Sequence, residues 1–264
     1  MTPSRQRNSP CLWIAAVTAG ALAVLPGVAR ADDVDDDAPP RSASPSAGAG
    51  AFLPSALSPR SDGRSGLVAI TGGLDRARGG AIYDATAEAH LLGPVSLVAG
   101  AAYDGPGTTT SPHLELRLDA ARQATHGVDV AVAAGYTNAG FNLVPAAVAR
   151  IALGRNLGAS YVLANVAYEQ GLEDGEQSGE LRLAALHPIS AAVHVGLDSR
   201  LQVDLEHNHD PNGEAAWEWR SGLVASYAWN RLVFTGTGGV SALRFHTGPT
   251  EVGPVVTAGV GTIF

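Results

Sequence analysis

The stretch Pro254-Val255-Val256-Thr257-Ala258-Gly259-Val260-Gly261-Thr262-Ile263-Phe264 decides how the rest of the chain is read. Counting back in twos from Phe264 gives Thr262, Val260, Ala258 and Val256, mostly apolar, while the other parity holds Gly261, Gly259 and Thr257. Side chains on a β-strand alternate between its two faces, so the segment is a strand with one apolar face and one small or polar face.

Working upstream, the same unit recurs from about residue 65: a period-2 segment of about ten residues, then a turn. Ala81, Tyr83, Ala85, Ala87, Ala89 and Leu91 alternate with Ile82, Asp84, Thr86, Glu88 and His90. Leu114, Leu116 and Leu118 alternate with Glu115, Arg117 and Asp119, and Val128, Val130 and Val132 with Asp129, Ala131 and Ala133. Further on, Leu181 and Leu183 oppose Glu180 and Arg182, Val193, Val195 and Leu197 oppose His194 and Asp198, and Trp217, Trp219 and Leu223 oppose Glu218 and Arg220.

The connections carry a second pattern. Short turns are expected near Gly93-Pro94, Thr125-His126-Gly127, Arg155-Asn156, His187-Pro188 and Asn230-Arg231. Between them fall mostly longer, polar or Gly-rich connections at 75–80, 104–112, 137–140, 170–178, 207–214 and 247–253. Counting the segments gives twelve strands, with ten as the alternative.

A chain that stops on an aromatic at the end of such a strand resembles the bacterial outer-membrane β-barrel proteins, in a porin-like form. The resemblance implies an all-β fold, an antiparallel transmembrane β-barrel with short periplasmic turns and longer outer loops. It implies that the last strand closes the barrel and that Val256, Ala258, Val260 and Phe264 form the signal read by the barrel-assembly machinery, although Thr262 departs from the usual pattern. In a soluble sandwich the polar face would meet water; in such a barrel the apolar face meets outer-membrane lipid and the polar face lines the lumen. Aromatics make up only 6% of the chain, so the interface girdles are thin. Tyr103, Tyr136, Phe141, Tyr168 and Phe245 fall at loop ends, and Tyr227, Trp229, Phe234 and Phe264 at turn ends, where interface aromatics belong.

Composition agrees. A single barrel of about 200 residues fits the length, and no apolar run of the ~18 residues needed for a membrane helix follows residue 31. All 17 basic residues are Arg, which removes chemistry that depends on a phosphate-loop or Schiff-base Lys. A formal net charge of −8 without a basic cluster argues against a nucleic-acid partner. Residues 1–31 read as a cleaved signal peptide: Arg5 and Arg7 are followed by an apolar stretch from Cys11 to Leu25 and by Ala29-Arg30-Ala31 before Asp32. The only cysteine, Cys11, leaves with it. Residues 32–62, rich in Asp, Pro, Ser and Ala, read as a disordered leader, and 63–264 as the barrel.

The expected lumen lining is Asp84, Glu88, His90, Glu115, Arg117, Asp119, Asp129, Arg150, Glu180, Arg182, His194, Asp198, Arg200, Glu218 and Arg220, with Asn165 and Glu169 beside them. Mixed signs at this density imply ion pairs across neighbouring strands. Two readings stay open: a small-solute or ion pore whose charges set selectivity, leaning toward cations because acidic groups outnumber Arg, or a structural or surface-interaction barrel with a plugged lumen. An outer-membrane hydrolase is the weaker third, because His194 and Ser199 fall on opposite faces and no Gly-x-Ser-x-Gly or His-Glu-x-x-His occurs. No catalytic residue, cofactor or metal is expected. Glu206, His207, His209 and Asp210 are metal-ligand types, but polar loops collect the same residues. The oligomeric state is not legible.

Overall fold

The structure, a computed structural model, describes residues 66–105, 110–138, 141, 144–173, 175–205 and 215–264. The expected signal peptide, the leader and the Glu206–Asp210 loop residues lie outside them. Twelve strands follow one another: β1 Gly66–Asp75, β2 Gly80–Leu92, β3 Val95–Tyr103, β4 Ser111–Ala121, β5 Asp129–Thr137 and β6 Ala146–Leu157, then β7 Ser160–Gly171, β8 Gln177–Pro188, β9 Val193–Asp204, β10 Ala215–Trp229, β11 Leu232–Phe245 and β12 Thr250–Ile263. A one-turn helix, α1 Gln123–His126, sits between β4 and β5. Each strand pairs antiparallel with its sequence neighbours, and β12 pairs with β1, so the sheet is a closed barrel without an edge.

The terminal stretch makes that closure. Val256, Ala258 and Val260 pair with Leu74, Gly72 and Ile70, and Gly66 and Phe264 exchange backbone hydrogen bonds of 2.8 and 3.1 Å. The first and last strand ends therefore lie on the same rim, the one that carries the tight turns.

The two rims differ mostly as the spacing predicts, but the short turn expected at Thr125-His126-Gly127 is the connection 122–128 that holds α1, and the long one expected at 247–253 shrinks to 246–249 because β12 pairs from Thr250 on. Gly93-Pro94, Gly158-Ala159 and Asn230-Arg231 are two-residue turns, and Gly158 and Asn230 hold φ of 63° and 55°, the left-handed conformation that such hairpins demand. The opposite rim carries longer connections, 104–110, 138–145 and 205–214 among them. Two turns lie further along than the sequence indicated. Arg155 and Asn156 still pair with Val162 and Tyr161 inside the sheet, and His187 and Pro188 with Val195 and His194, so the turns are 158–159 and 189–192. The connection placed at 137–140 runs on to Pro145.

Burial follows strand parity with the inside polar. Leu116, Leu183, Leu197 and Leu223 point outward and are more than half exposed, whereas Arg117, Glu218 and Asp75 point inward and are almost fully buried. A soluble protein would invert this, since large apolar side chains dominate soluble cores and charges rarely lie buried. The outer surface is a continuous apolar belt, the solution required where the surrounding medium cannot hydrogen-bond a backbone. Aromatics frame it: Tyr83 stacks on Tyr103 at 5.0 Å on the loop side, and Tyr227 on Phe234 at 6.5 Å beside the exposed Trp229 on the turn side. Phe141 is an exception to the expected girdle, because it is buried in the β5–β6 connection with its N–H donated to Glu169. Phe245 is another, since it shares the inward parity of Leu243.

Candidate functional site

The inner wall is chemically divided. On β11, β12 and β1 the inward positions at mid-height are Thr235, Thr237, Gly239, Thr257, Gly259, Thr71 and Gly73, all small. In a ring of twelve, β6 stands opposite β12, so the Gly and Thr sector faces the strand that carries Arg150. Side chains this short cannot reach across a barrel of this strand number.

The charged sector is a chain of ion pairs whose reach depends on small residues between them. Arg117 on β4 donates to Glu88 on β2 at 2.8 Å, passing over Ser96 on β3, and to Asp119 at 2.7 Å on its own strand. Arg150 on β6 reaches Glu115 on β4 at 3.0 Å across β5, where Glu115 faces Gly135. Arg182, Arg200 and Arg220 stand directly opposite one another on β8, β9 and β10, a like-charge row that would be destabilising alone. Carboxylates relieve it: Arg182 pairs with the diagonal Asp198 at 2.6 Å and Arg200 with the diagonal Glu180 at 2.8 Å, while Arg220 pairs with Asp75 of β1 and with Glu218 on its own strand, both at 2.9 Å.

Near the turn rim the same wall becomes apolar. Tyr161, Leu163, Ala184, Leu186 and Val224 form one buried cluster, and Gly196 on β9 stands between Leu186 and Val224, leaving room for them to meet.

Exposure sorts the charges further. The side chains of Arg150 and Arg200 keep 24% of their surface accessible, while their partners Glu115 and Glu180 keep 5% and 7%. The guanidinium groups thus stand in front of recessed carboxylates in the middle of the barrel.

No protein-family model matches the chain, and no curated protein matches it. Among solved structures it is similar to the NanC porin, with a TM-score of 0.53 and 9% identity over 75% of this chain and 98% of that one. It also aligns with the KdgM porin at a TM-score of 0.45 and 8% identity, over 75% and 99% of the two chains. A third alignment, to the outer membrane protease OmpT from Escherichia coli, has a TM-score of 0.28 and 10% identity over 76% and 94%, too low to carry an argument.

The fold is that of a porin-like outer-membrane barrel.

Within this porin-like barrel, the expected lining is brought together with one exception. Glu88, Glu115, Arg117, Asp129, Glu180, Arg182, His194 and Glu218 are buried on the inner face, and Asp84, Asp119, Arg150, Asp198, Arg200 and Arg220 are half-buried there. His90 is instead exposed at the turn rim, where the β2–β3 pairing slips between His90 and Leu92. Acidic groups still outnumber Arg in the lining, but their recession weakens the expected lean toward cations. His194 points inward and Ser199 outward, where Ser199 accepts a hydrogen bond from Trp219 at 3.1 Å.

Three participants were not anticipated. Asp75 continues the inward parity of Thr71 and Gly73, so its place was legible had β1 been followed to its end. Arg78 and Asp104 lie in connections, and nothing in their spacing tells which connections turn inward. Asp204, the last residue of β9, pairs with His246 at 2.8 Å.

Proposed function

We propose that the protein is an integral outer-membrane pore for small polar solutes or ions, with a mixed-charge lumen. The observation that carries this reading is the 24% exposure of the Arg150 and Arg200 side chains at mid-strand inside the wall, with Arg150 opposite a Gly and Thr sector that cannot fill the space before it. The apolar exterior, the unequal rims and the likeness of fold to the NanC porin support it. Outer-membrane location, export by a cleaved signal, and closure assisted by the assembly machinery acting on Val256, Ala258, Val260 and Phe264 belong to the same reading.

The lining binds no solute covalently in this scheme; its charges order the ions that pass. Because guanidinium groups stand foremost, the Arg row sets the sign of selectivity. The experiment is conductance of the mature protein in planar bilayers with a salt gradient. Arg150→Gln with Arg200→Gln should shift the reversal potential toward cation preference. Absence of conductance at every voltage would remove the pore reading.

A second reading has its own observation. The apolar cluster at the turn rim favours a barrel filled at that end, as does Arg117 on β4, only 1% exposed, with the loops as the working surface. It predicts no conductance and full heat-modifiable stability.

A further inference from the structure

The loop rim contains a contact that the order of the strands alone would not produce. Asp104 follows the end of β3 and Arg220 lies on β10, five places away in the closed ring, yet Arg220 Nη2 comes within 3.7 Å of Asp104 Oδ1. Five places of twelve is close to the full width of the barrel, so the contact crosses the mouth instead of running along its wall.

Arg220 is held for this from below. Its Nε lies 2.9 Å from Asp75, and that carboxylate also accepts Ser241 Oγ at 2.5 Å and the N–H of Ala77 at 3.0 Å. The last bond folds the β1–β2 turn inward at its first residues, an Asx-type turn. Ala77 is buried as a result, and Arg78 points across β12 and β11 to Glu218, donating through Nε and Nη2 at 2.8 Å each. Such a two-point guanidinium–carboxylate pair fixes orientation as well as distance. Glu218 also accepts from Arg220 Nε at 3.1 Å, so the two arginines share one buried carboxylate. Gly105, just after β3, lies on top: a Cβ placed on it would stand 3.1 Å from the Arg78 carbonyl oxygen, and it holds φ of 116°, which glycine adopts without strain.

We propose that this bar, Asp104–Arg220–Glu218–Arg78, is the size filter of the pore. It crosses the mouth above β11, β12, β1 and β2, over the Gly and Thr wall of β11, β12 and β1. Solute then enters only beside the bar, over the remaining strands, and the wide part of the lumen is reached from there. The inference rests on the pore reading.

Arg78 and Asp104 stand outside the strands, so their substitution leaves the barrel wall intact. The test is single-channel conductance of the full mature protein, with folding confirmed by heat-modifiable migration, and the size cut-off read by graded polyethylene glycols. Arg78→Ala and Asp104→Ala should each raise conductance, by about twofold together if the bar is the narrowest element in series, and should admit larger polymers. Arg244→Ala, an exposed cation on the same rim, should change neither quantity. Wild-type conductance and cut-off in both Arg78→Ala and Asp104→Ala would overturn the filter while leaving the pore. Conductance in the variants with a silent wild type would overturn the filter, because the bar would then be a plug that no solute passes. Silence in all of them would remove the pore reading and the filter with it.

Discussion

Leu116 and Arg117 are adjacent in sequence and opposite in environment, and exchanging their characters tests the whole assignment of faces. Leu116 is the sixth of the eleven residues of β4, so it sits at the middle of its crossing, and it is 55% exposed on the outer surface. Leu116→Arg puts a cation at the depth where lipid is least able to solvate it, a cost of about 2–4 kcal/mol for a barrel in a bilayer. Arg117 is 1% exposed and holds both Glu88 and Asp119. Arg117→Leu takes the cation away from Glu88 and Asp119, and losing one partner of a buried ion pair costs about 3–5 kcal/mol. Both variants should therefore be destabilised, but for reasons that a second substitution separates. Adding Glu88→Gln should recover part of the loss in Arg117→Leu, since it removes one of the two charges that Arg117 balanced, and should recover nothing in Leu116→Arg. Urea unfolding in liposomes, followed by tryptophan fluorescence, measures all four. If Leu116→Arg stays within about 0.5 kcal/mol of the parent while Arg117→Leu gains stability by a lipid-transfer amount, the faces are inverted and the lumen lining must be abandoned.

Two further outcomes follow from the closing seam and from a corner of the wall. Phe264→Asp removes the aromatic ring that stands against Gly66 and places a charge at the membrane boundary, so outer-membrane recovery by immunoblot should fall sharply; unchanged recovery would show that the ring is no assembly signal. A Cβ on Gly239 would fall on the Ser221 carbonyl oxygen of the neighbouring strand, whereas one on Gly238 meets nothing within 4 Å. Gly239→Ala should accordingly lower the urea midpoint and Gly238→Ala should leave it near the parent; equal midpoints would refute the close approach.

The sequence made the strand count and the faces legible because a period of two is unambiguous when one face is apolar and the other charged, as at Leu114 to Asp119. Turn positions were less so. Arg155-Asn156 looked like a turn because charged and amide residues interrupt an apolar run, yet Ile151, Leu153, Arg155 and Leu157 keep one parity and the residue that bends the chain is Gly158. His187-Pro188 misled in the same way. Proline lacks a donor, but Pro188 occupies the last residue of β8, where that loss is small. The membership of the charged lining could be read from parity; its pairing could not. Arg117 reaches Glu88 two strands away only because Ser96 between them is short, and Arg78 reaches Glu218 only because Asp75 bends the intervening turn. Such contacts depend on the size of a third residue, which no pairwise pattern in the chain records.

The small residues of the β1–β12 junction have a consequence for how the ring is joined. Apart from Asp75 at one end, its inward positions bear no charge, and many are glycine, so side chains along its length distinguish poorly between the native alignment and one displaced by two residues. What distinguishes them are stops at the two extremities. At one end the Phe264 ring lies against Gly66 and the two backbones exchange hydrogen bonds; at the other, Asp75 must meet Ser241 and Arg220. The junction works like a zip fastener with blank teeth and a catch at either end: its alignment is fixed by the ends, and damage to either catch frees the whole length to slide.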